Sequence, residues 1–403
     1  MPQTTAEQMR RWTGPALFSF GFRPFFLLAG LWATCAMILW IGMLAGGITL
    51  PTRFDPVTWH VHEFLFGYLS AVIAGFLLTA VPNWTGRLPV VGWPLAWLSS
   101  LWILGRLVVA LSVLLPETVV AIVDSAFLFA MWALTLREII AGKKWGNLPV
   151  VVIVAILIVA NLVFHFEAAQ YGSASQGYGV RIGLSAVLVL VMLIGGKITP
   201  SFTRNWLVKH GDTVMPTPPM QRFDKATLVA SIVTLAIWTV ASQNSGVGAA
   251  LIGLGVLHSL RLVRWKGHRT LHDPLVWVLH AAYAFLPLGA FVNGMSILHP
   301  AFMSQAAALH IWTAGAIGLM TLGVMTRASL GHSGRRLQVG LGTTALYVAI
   351  IASTFLRLAA DVFSTLRMPL LEASALFWII GFGGFAVIYG RLLMTPKLGP
   401  TPK

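Results

Sequence analysis

Leu148 to Gln170 reads LPVVVIVAILIVANLVFHFEAAQ. A membrane-spanning helix needs roughly 20 apolar residues, and this stretch supplies them with one histidine, His165, near its far end. Charge-poor runs of the same kind return at near-regular intervals from Phe22 to Met394. Of the 403 residues, 57% are hydrophobic and 10% are charged, whereas a soluble domain carries about a quarter charged residues. The sequence therefore reads as an all-α, polytopic transmembrane helix bundle, with no room for a soluble domain between the spans.

Apolar runs between polar or Pro/Gly breaks predict twelve helices. They cover 22–45, 58–80, 93–115, 118–140, 148–170, 179–197, 225–243, 246–265, 274–296, 303–326, 338–360 and 371–394. The run beginning at Phe22 is too long for a signal peptide and lacks a convincing cleavage site. Residues 1–403 form a single membrane domain on this reading. Two sets of six helices, 22–197 and 225–394, are joined by a connector over 198–224 rich in proline (Pro200, Pro216, Pro218, Pro219).

The net charge of +15 raises nucleic acid as a partner, but the basic residues sit in short connections and form neither a face nor a tail. Their distribution fits topology instead. If the N-terminus is cytoplasmic, that side collects 22 Lys and Arg, from Arg10 to Lys403. The other side holds 4, namely Arg53, Arg181, Arg357 and Arg367, with Arg106 inside a helix. The positive-inside rule then places both termini in the cytoplasm. Cys35 is the one cysteine, which excludes an internal disulfide and a thiolate metal cluster. Any metal must rest on histidine, since the 14 methionines are spread through apolar runs and read as packing before copper ligation.

Ionisable residues at membrane depth mark functional candidates. His60 and His62 lie in Trp59-His-Val-His-Glu63, where Asp55 can cap the helix and Pro56 suits its first turn. With His165 and His310 they fall within about 12 Å of the outer boundary by helical rise. His258 and His280 lie at a similar depth from the inner one. His60 and His62, two residues apart, point about 200° away from each other on a regular helix and should not ligate one ion. Each of these histidines could also simply bond a neighbouring helix. His210, His268, His272, His299 and His332 fall in loops or boundaries and read as surface residues.

Arg106 and Asp124 come out at comparable depths on consecutive helices and read as a buried ion pair. Arg357 and Asp361, four apart, could pair within one helix. Glu63 could orient an imidazole or carry protons. Tyr283 shares a helix face with His280 and could be a redox or hydrogen-bonding partner or a packing residue. Lys197, Arg204 and Arg327 could hold haem propionates or an anionic lipid headgroup, or serve only the charge asymmetry.

Long strings in the chain resemble the NnrS family of bacterial membrane proteins. They are Phe22-Arg-Pro-Phe-Phe26, Trp59-His-Val-His-Glu63, Ala74-Gly-Phe-Leu-Leu-Thr-Ala-Val-Pro-Asn-Trp-Thr-Gly86, Gly195-Gly-Lys-Ile-Thr-Pro200, His280-Ala-Ala-Tyr-Ala-Phe-Leu-Pro-Leu-Gly289 and Met325-Thr-Arg-Ala-Ser-Leu-Gly-His-Ser-Gly-Arg335. The resemblance implies an inner-membrane protein containing haem, of b type, and copper that takes part in the response to nitric oxide. The histidine count is also similar to that of the catalytic subunit of haem-copper oxidases and nitric oxide reductases, but the adjacent histidine pair and the His-x-His of that group are absent.

The expected function is a haem-bearing redox protein that binds or reduces nitric oxide, with electrons from a quinol or a cytochrome. His60 or His62, with His165 and His310, would form an outer metal or haem centre and His258 with His280 an inner one. Glu63 would serve as proton carrier and Tyr283 as a redox partner. A non-catalytic nitric oxide buffer or sensor is an alternative. A transporter is a third reading, although the Val81–Arg87 loop lacks the major-facilitator signature. The oligomeric state stays open.

Overall fold

The computed structural model describes residues 12–397, and among these there is no strand. Twelve helices are long and apolar enough to cross a membrane, so the chain is a multi-pass membrane protein. They are α1 (Phe22–Leu44), α2 (Pro56–Thr85), α3 (Trp93–Ala110), α4 (Glu117–Ala141), α5 (Trp145–Tyr171), α6 (Tyr178–Lys209), α7 (Arg222–Val240), α8 (Ser245–Val263), α9 (Pro274–Leu298), α10 (Gln305–His332), α11 (Leu341–Val362) and α12 (Ser364–Met394). Burial is greatest in α2 and α10, and each of these widens into a π-helical stretch, at Glu63–Tyr68 and Ile311–Gly318.

Capping explains several helix starts. Asp55 accepts hydrogen bonds from Val57 N at 2.9 Å and Thr58 N at 3.1 Å, with Pro56 in the first turn of α2. Asp273 and Pro274 do the same for α9, through Leu275 N at 2.9 Å. Asp361 lies close enough to Arg357 to interact electrostatically but is engaged directly elsewhere. Its carboxylate accepts from Ser304 N at 2.9 Å and Ser304 Oγ at 2.6 Å, bracing the start of α10.

The expected connector over 198–224 is the largest departure from the sequence reading. Helix α6 runs through Pro200 to Lys209, leaving only 210–221 between α6 and α7. Proline deletes one backbone donor, and here the hydroxyls of Ser201 and Thr203 bond back to the carbonyls of Lys197 and Thr199, at 2.7 and 2.8 Å. Helix α10 likewise continues to His332, six residues beyond the expected end. That residue packs its ring against Phe20 and Phe22 instead of lying in a loop.

The chain divides into two compact units. The first holds α1 to α5, α6 as far as Ala186, the end of α10 from Ala328 and α12 from Phe382. Within it α2 packs against α1 and α4, and α4 against α3 and α5. Arg23, fully buried, donates through Nη1 to the carbonyls of Leu392 at 3.3 Å, Leu393 at 2.9 Å and Thr395, closing the C-terminal end of α12. The second unit holds α6 from Val187, α7 to α9, α10 to Arg327, α11 and α12 to Gly381. There α8 and α9 are in backbone contact: a Cβ on Gly294 would lie 2.6 Å from Gly248 O. Small residues permit this approach where apolar lipid gives helices no hydrophobic reason to associate.

Candidate functional site

The first unit gathers a buried polar cluster from five helices. His62 ends the first segment of α2, and Glu63 begins its π-helical stretch. Arg106 comes from α3, Asp124 from α4, Asn161 and His165 from α5, and Trp32 from α1. His62 Nε2 and His165 Nε2 lie 3.1 and 3.0 Å from the same oxygen, Asp124 Oδ2, which also accepts from Asn161 Nδ2 at 2.7 Å. His62 Nδ1 faces Glu63 Oε1 at 3.1 Å. Arg106 donates to Glu63 Oε2 at 2.7 Å and through Nη2 to Asp124 Oδ1, while Trp32 Nε1 donates to Glu63 Oε2 at 2.8 Å.

Two features make this more than a structural ion pair. The first is charge: two carboxylates meet one guanidinium, so the cluster is balanced only by one further positive charge, a His62 imidazolium or a bound cation. The second is donor number. A neutral imidazole carries one N–H, yet His62 faces a carboxylate at each nitrogen. It satisfies both as imidazolium, with a proton on Glu63, or with a cation in place of the Nε2 proton. One ligand atom each from His62, Asp124 and His165 lies within 4.8 Å of the others, close enough to share an ion.

A small ion fits this donor set, since imidazole with carboxylate suits copper, iron or zinc. A macrocycle does not fit. The His62 ring is packed by Phe54 at 5.5 Å, Phe66 at 5.5 Å, Phe164 at 5.2 Å and the His165 ring at 5.1 Å between centroids, leaving no slot for a flat porphyrin.

His60, two residues from His62, lies outside this set and stacks on Trp40 at 4.2 Å. His310 belongs to the second unit, where its Nδ1 bonds the carbonyl of Ala306 in its own helix at 2.6 Å.

The second unit builds a different polar chain. Arg261 Nε donates to Asp224 Oδ1 at 2.8 Å, and its Nη1 donates to Tyr283 Oη at 2.8 Å and Met192 O at 3.0 Å. Tyr283 Oη lies 2.8 Å from His258 Nδ1, and His258 Nε2 lies 2.9 Å from Ser231 Oγ. Ser231 gives its proton to Thr227 O at 2.7 Å, so His258 Nε2–H donates to Ser231 and Tyr283 donates to His258 Nδ1. Both nitrogens of His258 are thereby used. His280 differs: Thr203 gives its proton to Thr199 O, so His280 Nε2–H donates to Thr203 Oγ1 at 2.7 Å. Its Nδ1 is left without a hydrogen-bond partner. A second-sphere acceptor of this kind is the usual support of a ligating histidine. Arg204 is exposed, and Arg327 lies 4.0 Å over the Phe202 ring.

Asp124 and Asn161 were not among the expected site residues, and neither were Asp224 and Arg261. Helical spacing carries part of that signal. Asn161 precedes His165 by one turn, and His258 precedes Arg261 by three residues.

These features define a multi-pass helix bundle with a buried histidine–carboxylate centre in its first unit. The family profile described as NnrS protein matches residues 16–397, and the chain belongs to that family. No curated protein matches it.

Proposed function

We infer that this chain is a redox protein of a bacterial inner membrane that binds nitric oxide at a metal centre, with copper held by His62, His165 and Asp124. The observation that carries the reading is the buried cluster in which two carboxylates share one guanidinium and three ligand atoms lie within 4.8 Å of one another. NnrS membership supports the link to nitric oxide metabolism. Copper in that place would supply one-electron chemistry and an open coordination position.

The protein's own residues set the rest. Glu63 accepts a hydrogen bond from His62 Nδ1–H and fixes the ring. Arg106 holds both carboxylates in place, and Asn161 steadies the ligand oxygen of Asp124. His280 in the second unit, whose Nε2–H is held by Thr203 and whose Nδ1 lacks a hydrogen-bond partner, would be the residue to hold a haem, which would supply redox chemistry there. The loop charges support cytoplasmic termini, and a quinol or cytochrome supplies electrons.

Metal analysis of the purified protein, with a reduced-minus-oxidised spectrum before and after nitric oxide, tests this. Bound copper lost on Asp124→Asn, and haem bands that shift with nitric oxide, support the reading. A colourless, metal-free protein overturns it. Consumption of nitric oxide under turnover separates reduction from storage or sensing.

A further inference from the structure

Aromatic rings close the His62–Asp124–His165 cluster on most sides. Besides its contact with His62, Phe54 stands 5.8 Å from the His165 ring and meets Phe164 edge to face at 5.7 Å. One side is different. A small, half-open cleft of about 30 Å³ reaches His165 between Arg53, Phe54, Glu117 and Val120. Its lining pairs Arg53 Nη1 with Glu117 Oε1 at 2.9 Å and adds Ser112 and the apolar side chains of Phe54, Val120, Ala168 and Ala169. Phe54 thus belongs both to the wall of the cleft and to the rings around the imidazoles.

Phe54 lies in the α1–α2 connection between two anchored neighbours. Arg53 is tied across to the α3–α4 connection, its Nε donating to Ser112 O at 2.9 Å, its Nη2 to Leu115 O at 3.0 Å and its backbone N to Ser112 Oγ at 2.9 Å. Asp55 on the other side caps α2. An exposed ion pair alone contributes little, but these carbonyl and hydroxyl contacts fix the backbone on which the Phe54 ring is carried.

We propose that Phe54 is the selectivity residue of an entrance to the cluster, one that admits small molecules to His165 and holds back bulkier solutes. A neutral diatomic has little hydration to lose. The nature of the guest rests on the metal-centre reading above, whereas the entrance itself rests on Phe54, the cleft and His165.

Diethyl pyrocarbonate, an uncharged reagent larger than a diatomic that acylates imidazole, tests the entrance on the full-length protein in detergent with no metal added. Labelling is read histidine by histidine by mass spectrometry, and exposed His272 and His299 serve as internal references. Phe54→Ala is expected to raise the rate at His165 about tenfold, equivalent to about 1.4 kcal/mol of barrier, with His272 and His299 unchanged. Phe54→Leu keeps an apolar contact and is expected to give a smaller rise in the same direction. An unchanged rate at His165 in both variants, with wild-type thermal transitions, overturns the proposal. Metal analysis of the same preparations separates the two readings. A response at His165 without metal binding leaves the entrance standing and removes the metal centre, whereas metal binding without a response at His165 removes the entrance alone.

Discussion

The polar chains of the two units are built from similar side chains and reach opposite balances. In the first, Glu63 and Asp124 face one Arg106, and two imidazoles crowd one carboxylate oxygen. In the second, Asp224 and Arg261 cancel, and His258 lies between two neutral hydroxyls that use both of its nitrogens. One site has acceptors in excess and calls for a cation. The other is balanced in charge and leaves His258 no nitrogen to give, with one donor, Arg261 Nη2, unpartnered. A membrane histidine therefore cannot be assigned from its depth; what decides is the number of protons its neighbours demand.

The sharpest way to break this contrast is to remove one charge from each side. Arg106→Met and Asp224→Asn each strand a buried charge, and each is expected to cost about 3–5 kcal/mol of stability. Copper or another divalent ion should restore much of the loss in Arg106→Met, because a cation can replace the guanidinium between the two carboxylates. It should do nothing for Asp224→Asn, where the stranded charge is itself positive. Thermal unfolding in detergent with and without metal reads the difference, and equal rescue of both variants would remove the distinction between the sites.

Ligand removal comes next. Asp124→Asn is expected to weaken metal binding by more than the roughly 10–100-fold typical of outer-shell partners, and Glu63→Gln to fall within that range. Tyr283→Phe should leave metal binding intact while costing about 1–3 kcal/mol, since it leaves His258 Nδ1 and Arg261 Nη1 each one partner short. Equilibrium titration with copper, beside unfolding curves, sorts the three variants. Metal loss in Tyr283→Phe to the same extent as in Asp124→Asn would show that the second chain does have a nitrogen to give.

The legible and illegible parts of the sequence divide along the same line. The twelve helices could be read because the length of an apolar run is a local quantity, as are the capping Asp55-Pro56 pair and the opposed faces of His60 and His62. The Arg106–Asp124 pair was also visible, as a match in depth on neighbouring helices. Depth grouped His310 with His62 and His165, but it lies in the other unit, because a shared layer says nothing of which helices are neighbours. Depth also hid Asp124 as the hub, since its pairing with Arg106 already accounted for its charge. Pro200 misled for a local reason: proline beside Thr199, Ser201 and Thr203 looks like the start of a loop, whereas α6 continues through it to Lys209.

The smallest expected effect compares the two acidic caps. Burial acts to raise the Asp55 carboxyl, but hydrogen bonds from the Thr58 hydroxyl, the amides of Thr58 and Val57 and the Ser173 hydroxyl outweigh it and hold it below the ordinary carboxylate range. Asp273 goes the other way, because burial dominates over the Leu275 amide and the nearby cations and pushes its carboxyl up. The signs follow from linkage. The contribution of Asp55 is present above the unfolded value of about 3.9 and is lost as pH falls through its folded value. That of Asp273 is full below the unfolded value and is lost as pH rises through its folded value. Asp55→Ala should cost about 1 kcal/mol at neutral pH, whereas Asp55→Asn, which caps without titrating, should cost less and make stability fall less steeply in acid. Asp273→Asn should make stability fall more steeply over the same range. Melting temperatures between pH 3 and 7 measure both slopes, and a shift of the same sign in the two variants would show that burial does not separate the caps of α2 and α9.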